Sequence, residues 1–169
     1  AISAAFIPVF TEIRNKKGEE DAWKMAANLF NILLAILITS SLALALFAPY
    51  IIMVFAPGFP QTSEKFNLTV LLTQWMAPYF LFIGLAVFCM GILNTYNKFA
   101  LPAITPAILN ICMILGTLII SPKLDQPILG LAVGVITGGL LQFVIQIPAI
   151  IRCGFKFIPS IDWKNHETL

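Results

Sequence analysis

Long stretches without any charged residue are the feature that most limits how this chain can fold. Four such stretches lie between Lys24 and Glu64, Lys65 and Lys98, Lys98 and Lys123, and Asp125 and Arg152. About 20 helical residues cross the roughly 30 Å hydrocarbon core of a bilayer, so each stretch is long enough to span a membrane. A soluble domain would instead distribute its charges over all exposed faces. The pattern predicts a membrane protein in which charged clusters mark the loops.

Composition favours the same class of protein and excludes others. Hydrophobic residues make up 59% of the sequence and charged residues 11%, whereas about 25% of residues are charged in a typical soluble domain. The net charge of +2 is small and no basic stripe with interleaved aromatics occurs, so nucleic acid is not an expected partner. The three cysteines are widely spaced and match neither a disulfide framework nor a zinc pattern. Because the sequence starts at Ala1 without Met or a basic signal-peptide segment, we expect it to be part of a longer chain.

The sequence predicts an all-α, polytopic transmembrane helical bundle. Residues 1–10 are mostly apolar but cover about half a bilayer, so we interpret them as the end of a cut helix. Residues 11–24 are expected to form a polar connector, with Gly18 as a helix stop and acidic residues that suit the next helix N-terminus. Pro78 should kink the second span, because proline removes one backbone donor. Four complete spans are predicted at about 25–47, 68–95, 102–120 and 127–151, followed by a tail at 152–169.

The distribution of lysine and arginine predicts the orientation, because these residues accumulate in cytoplasmic loops. If the spans alternate, two basic residues fall on one side, Lys65 and Lys123. Eight fall on the other: Arg14, Lys16, Lys17, Lys24, Lys98, Arg152, Lys156 and Lys164. The N-terminal connector, the turn between the second and third spans, and the tail are therefore predicted to be cytoplasmic.

No catalytic constellation is visible in the sequence. The single histidine, His166, lies in the tail without a partner arrangement that would make it a base, and no phosphate-binding glycine loop or metal-ligand spacing occurs. The four spans contain no Asp, Glu, Lys or Arg, the usual signs of an ion path. We expect neither an enzyme nor a bound cofactor or metal.

The most ordered polar pattern lies on the fourth span, where small and amide residues recur every four positions. They are Gly130, Gly134, Gly138, Gln142 and Gln146. This spacing places them on one slowly drifting face of a helix. One interpretation is close helix packing through glycine, with glutamine bonding between helices. The other places Gln142 and Gln146 on a substrate passage, and the sequence leaves both open.

Several segments, in order, resemble the MurJ/MviN family of lipid II flippases, which belongs to a superfamily of multidrug and polysaccharide exporters. Residues 3–10 resemble the family's second helix, and GILNTYNKFALPA at 91–103 resembles the fourth helix, its turn and the entry to the fifth. The most specific part of the match is residues 92–103. Further similar segments are FAP at 47–49, APGF at 56–59, APY at 77–79 and GGLLQ at 138–142. The match covers nearly the whole chain.

The resemblance implies a fragment of the N-terminal lobe, from the second to the sixth helix, of a two-lobe fold around a central cavity. It implies an alternating-access flippase in the bacterial inner membrane, with lipid II, the undecaprenyl-diphosphate-linked disaccharide-pentapeptide, as substrate. Its other partners would be membrane lipids and the remainder of its own bundle. Ser3 and Phe6 are cavity-lining candidates because the family's second helix lines the cavity. Prolines at three positions are expected to shape or hinge helices: Pro8, Pro78 and Pro102.

Two other functions remain open from sequence. Another exporter of the same superfamily, for drugs or O-antigen, would have different cavity residues in the helices that this sequence does not contain. A nontransporting membrane scaffold subunit would instead lack a polar cavity. An integral membrane enzyme is disfavoured by the missing catalytic groups.

Overall fold

The computed structural model of the chain describes residues 2–58, 60–61 and 63–156, with side chains from Phe6 onward. The described residues form α-helices without a β-strand, and four helical segments are long and apolar enough to cross a membrane: Glu19–Leu46, Glu64–Thr95, Ala100–Lys123 and Ile128–Arg152. The predicted all-α, polytopic bundle is therefore confirmed. The α-helices are α1 (Ile2–Lys17), α2 (Glu19–Leu46), α3 (Ala48–Phe55), α4 (Glu64–Thr95), α5 (Ala100–Leu115), α6 (Ile128–Val144) and α7 (Ile147–Arg152).

The expected polar connector at residues 11–24 is helical apart from one residue. α1 continues to Lys17 and α2 begins at Glu19, so only Gly18 separates them, with φ of 102°. Glycine adopts this left-handed region without the steric cost of a β-carbon. The helix stop at Gly18 is confirmed, but residues 11–17 and 19–24 are helical and not part of a connector, because polar residues form pairs along the helices, such as Lys16 with Glu12 at 2.7 Å.

α2 and α4 pack antiparallel, and polar side chains connect them in the half that is remote from Gly18. The Ser41 hydroxyl donates to the carbonyl oxygen of Ala77 at 2.8 Å, and Gln74 Nε2 donates to that of Ala45 at 3.2 Å. α4 is a continuous helix through Pro78. The segment around Pro49, which follows α2, forms the short helix α3.

The turn between α4 and α5 is closed by Asn97. Its φ of 56° is left-handed. The amide of Lys98 donates to the carbonyl of Leu93 at 2.9 Å, and the amide of Asn97 donates to that of Asn94 at 3.1 Å. These two bonds form a Schellman motif, which satisfies carbonyls at the end of a helix and reverses the chain.

The third and fourth spans depart from regular α-helix near their ends. α5 passes into a π-helical turn at Gly116–Ile120 and a 3₁₀ turn at Ser121–Lys123. The fourth span is divided into α6 and α7 at residues 145–146, because Pro148 has no amide hydrogen with which to continue the helical bonding. The tail from 157 to 169, including His166, lies outside the described residues.

An aromatic core joins four segments at one end of the bundle, where the α1–α2 break, the α4–α5 turn and the residues after α7 meet. We call this end the basic end, since Arg14, Lys98 and Arg152 all lie there. Phe10 is completely buried, and Phe88 and Phe155 are 2% and 8% exposed. Trp23 contacts the rings of both Phe10 and Phe155. This core fixes α1 to α2 and α4.

Candidate functional site

The small-residue face of α6 packs directly against α5 and the turns that follow it. A β-carbon at Gly134 would lie 2.5 Å from the carbonyl oxygen of Cys112, and one at Gly116 would lie 2.5 Å from that of Gly130. A β-carbon at Gly138 would meet the Leu109 side chain at 2.8 Å. The missing side chains thus allow the two helix backbones to touch, as small residues do between membrane helices.

Gln142 and Gln146 continue this face but contact different helices. They are 3% and 1% exposed. Gln142 Nε2 donates to the carbonyl oxygen of Thr105 on α5 at 2.9 Å. Gln146 Nε2 donates to the carbonyl of Ala86 on α4 at 3.2 Å and to that of Gln142 at 2.9 Å. Both side chains face neighbouring helices in this part of the protein, and they join α4, α5 and α6 through backbone acceptors.

Ser3 and Phe6, which were predicted to line the cavity, lie on α1, and this helix crosses the aromatic core. Ser3 is in α1, and its side chain lies outside the described residues. Phe6 is 5% exposed and packs against Phe10 and Phe88, with ring centroids 5.3 and 5.5 Å away. Phe6 therefore contacts α4 through its ring. Pro8 lies two residues further along and is exposed.

The other two prolines occupy different environments. Pro78 is exposed in the middle of α4, next to Ala77, whose carbonyl accepts the Ser41 hydroxyl. Pro102 is buried in the first turn of α5, where a missing amide is tolerated because the first helical amides have no partner within the helix. Its carbonyl accepts the hydroxyl of Thr105 at 2.8 Å.

Sequence reasoning did not identify a polar network at the basic end that is centred on Tyr96. The Tyr96 hydroxyl donates to a carboxylate oxygen of Glu19 at 2.9 Å, and the Arg14 guanidinium lies 5.2 Å from the centre of the ring. Trp23 stacks on the same ring with centroids 5.7 Å apart and an interplanar angle of 10°. The residues come from α1, α2 and the turn after α4, and no local sequence pattern connects them.

The environment of Tyr96 gives a pH prediction. Burial, followed by the hydrogen bond to Glu19, raises the pKa of the Tyr96 phenol from 10.0 to about 12. Because this pKa is raised in the folded protein, the contribution of Tyr96 to the free energy of unfolding is complete below pH 10. It is lost as the pH rises towards 12. We expect ultraviolet titration of the full-length protein to show a phenolate component near pH 12 that Tyr96→Phe removes. Identical titrations of the two proteins would contradict the assignment.

The Asp, Glu, Lys and Arg side chains of the described residues lie near the ends of the helices or in the turns between them. No group of three or more His, Cys, Asp or Glu side chains within the described ranges could hold a metal ion. The long spans instead present apolar side chains outward, such as Ile111, Leu118 and Ile151, each more than half exposed. Such surfaces face lipid or the helices of a larger bundle.

These features define a multi-pass helical membrane protein with glycine-mediated helix contacts. A family model described as "Lipid II flippase MurJ" matches residues 1–169. The chain therefore belongs to the lipid II flippase MurJ family, a family of transport proteins.

Individual relatives agree with the family assignment. The chain is 36% identical over 152 residues to the lipid II flippase MurJ of Burkholderia cenocepacia, covering 89% of this chain and 29% of that protein. It is 37% identical over 174 residues to the probable lipid II flippase MurJ of Vibrio cholerae, covering 98% and 33%. The corresponding protein of Rickettsia prowazekii is 34% identical over 167 residues, covering 98% and 32%. The chain thus spans about a third of the length of these relatives.

Proposed function

We propose that this chain forms part of the N-terminal lobe of a flippase that moves lipid II across the bacterial inner membrane by alternating access. The family match over residues 1–169 carries the proposal. A bundle whose described charged side chains lie near the helix ends suits a lobe that moves as a packed body, while the passage for the polar head group is completed by other helices. The lipid tail of the substrate can remain in the bilayer throughout.

The proposed contributions of single residues follow from their positions. Ser3 is placed on α1, the helix that we expect to line the passage. Phe6, Gln142 and Gln146 would stabilise the helices that surround the passage, since their buried side chains fix α1 and α6 against α4 and α5. Gly134 keeps α5 and α6 in backbone contact, so the two helices would move together when the lobe rotates.

Depletion of the full-length protein tests the transport proposal. In a strain without another lipid II flippase, we expect depletion to make lipid II accumulate on the cytoplasmic leaflet. Re-expression of the wild-type gene should restore its appearance on the outer leaflet. Depletion without such accumulation would refute the proposal and favour another exported substrate or a scaffold role.

The orientation of the lobe is a separate proposal with its own prediction. The distribution of basic residues predicts that Lys98 is cytoplasmic and Lys123 external, and both side chains are exposed. In a full-length variant lacking native cysteines, Lys123→Cys should react with a membrane-impermeant maleimide added to cells with a permeabilised outer membrane. Lys98→Cys should react only after the inner membrane is opened. The opposite pattern would invert the orientation.

A further inference from the structure

Two amide oxygens are buried near the junction of α6 and α7 and have no donor among the described residues. Gln142 and Gln146 are 3% and 1% exposed. The Oε1 atom of each is enclosed, and no donor among the described residues lies within hydrogen-bonding distance of it. Since buried polar atoms are nearly always bonded in folded proteins, two acceptors without donors on adjacent turns require an explanation.

The orientation of both amides is fixed by their nitrogen atoms. Each Nε2 faces backbone carbonyl oxygens, which only accept hydrogen bonds: Thr105 for Gln142, and Ala86 and Gln142 for Gln146. Exchanging the oxygen and nitrogen of either amide would place oxygen against oxygen. Rotating the amides therefore cannot provide donors for the two Oε1 atoms.

The break between α6 and α7 adds acceptors without adding donors. The backbone amide of Gln146 bonds to the carbonyl of Phe143 at 3.1 Å, so the carbonyl of Gln142 is left for the Gln146 side chain. Pro148 has no amide hydrogen to donate to the carbonyl of Val144, four residues earlier. The junction is thus rich in acceptors and lies within the apolar segment Ile128–Arg152, and lipid around a spanning segment supplies no hydrogen bonds.

We propose that the α6–α7 junction is a binding site for one or two internal water molecules, which donate to Oε1 of Gln142 and Gln146. Water supplies two donors and also accepts, and internal water in proteins typically bridges such otherwise unsatisfied buried groups. Its bonds re-form as neighbouring groups shift. The site would therefore satisfy the buried acceptors at the helix break.

The chemistry of the junction favours water over a cation. The Nε2 hydrogens of both glutamines lie in the same cluster and would repel a positive ion. The helices α5, α6 and α7 contain no carboxylate that would balance its charge. A buried charge without a counter-charge carries a large desolvation cost. A neutral donor has no such cost.

A structure of the full-length protein in lipid nanodiscs, at a resolution that shows ordered water, tests the site. We expect density within about 2.7–3.2 Å of Oε1 of Gln142 or Gln146. The density should disappear in Gln146→Met and Gln142→Met and persist in Gln74→Met, the same change at an exposed glutamine that also donates to a carbonyl. Wild-type density decides the question even if a variant does not fold, and its absence there would overturn the proposal.

Exchanging the cation of the buffer salt distinguishes a bound water molecule from a bound cation at this position. The thermal unfolding midpoint of the wild-type protein should be the same in sodium, potassium and choline chloride at equal ionic strength. A midpoint that depends on the identity of the cation in wild type but not in Gln146→Met would overturn the assignment to water.

Discussion

Gly134→Leu in the full-length protein is expected to prevent α5 from packing against α6 and to abolish growth that depends on the protein. Even the β-carbon of alanine would lie 2.5 Å from the carbonyl oxygen of Cys112 and 2.9 Å from the Cα atom of Met113. Both are backbone atoms, so no side-chain rotation relieves the overlap and the helices must separate. Leucine adds three further carbon atoms at the same contact.

For Gly134→Ala, the sizes of two opposing free-energy changes decide whether the protein becomes more or less stable. Alanine favours a helix over glycine by about 1 kcal/mol. Overpacking a well-packed contact costs about 1–3 kcal/mol, and more where the backbone must move. We therefore expect a net loss of stability for Gly134→Ala and a much larger loss for Gly134→Leu, measured as a lower thermal unfolding midpoint and a lower yield of folded protein.

Other glycines provide matched controls for this prediction. At Gly138 the nearest atom to a β-carbon is Cδ1 of Leu109, at the end of a flexible side chain, and at Gly58 nothing lies within 4 Å. The unfolding midpoint should therefore fall most in Gly134→Ala, less in Gly138→Ala, and little in Gly58→Ala. Equal stability of Gly134→Ala and Gly58→Ala would show that α5 and α6 are not in backbone contact.

Phe10→Ala is expected to destabilise the protein by about 3–5 kcal/mol, the usual cost of removing a fully buried phenylalanine ring. Phe10 is 0% exposed. Its ring lies 5.3 Å from those of Phe6 and Trp23 and 6.2 Å from that of Tyr96. Removing it leaves a cavity where α1 meets α2 and α4, and these contacts hold α1 in place.

Val9→Ala is the control on the same helix, because Val9 is 39% exposed and lies one residue away. Its effect should be within about 0.5–1 kcal/mol. Chemical or thermal unfolding of the two full-length variants gives the comparison, and Phe10→Leu should fall between them because it retains part of the apolar volume. A Phe10→Ala variant as stable as Val9→Ala would place α1 outside the core.

The four spans were predictable because a membrane-spanning helix can be recognised from its local composition. A helix in lipid satisfies its own backbone and excludes charge, so the gaps between charged residues contain every crossing. The helix ends were harder to place. Residues 11–17 are polar yet helical, since Ile13 lies on their buried face and the polar residues form pairs along the helix. Polarity alone does not distinguish a loop from the exposed end of a helix.

Only the spacing of the candidate residues along the fourth span was predictable from the sequence. Spacing placed Gly134 and Gln142 on one face of a helix, but the partners of that face, Cys112 and Thr105, are more than 20 residues away in sequence. The network around Tyr96 depends on helix ends separated by 77 residues, as its hydrogen bond to Glu19 shows. Sequence periodicity carries no information about such pairings, because they arise from the packing of complete helices.

The length of α4 has a consequence for the membrane around the protein. A helix of 32 residues is about 48 Å long, whereas the hydrocarbon core is about 30 Å thick. α4 must tilt or extend into the headgroup region, and the bonds from Ser41 and Gln74 make α2 follow it. The thickness of the bilayer therefore influences the tilt of α2 and α4 relative to the membrane normal. Thinner membranes should favour a larger tilt.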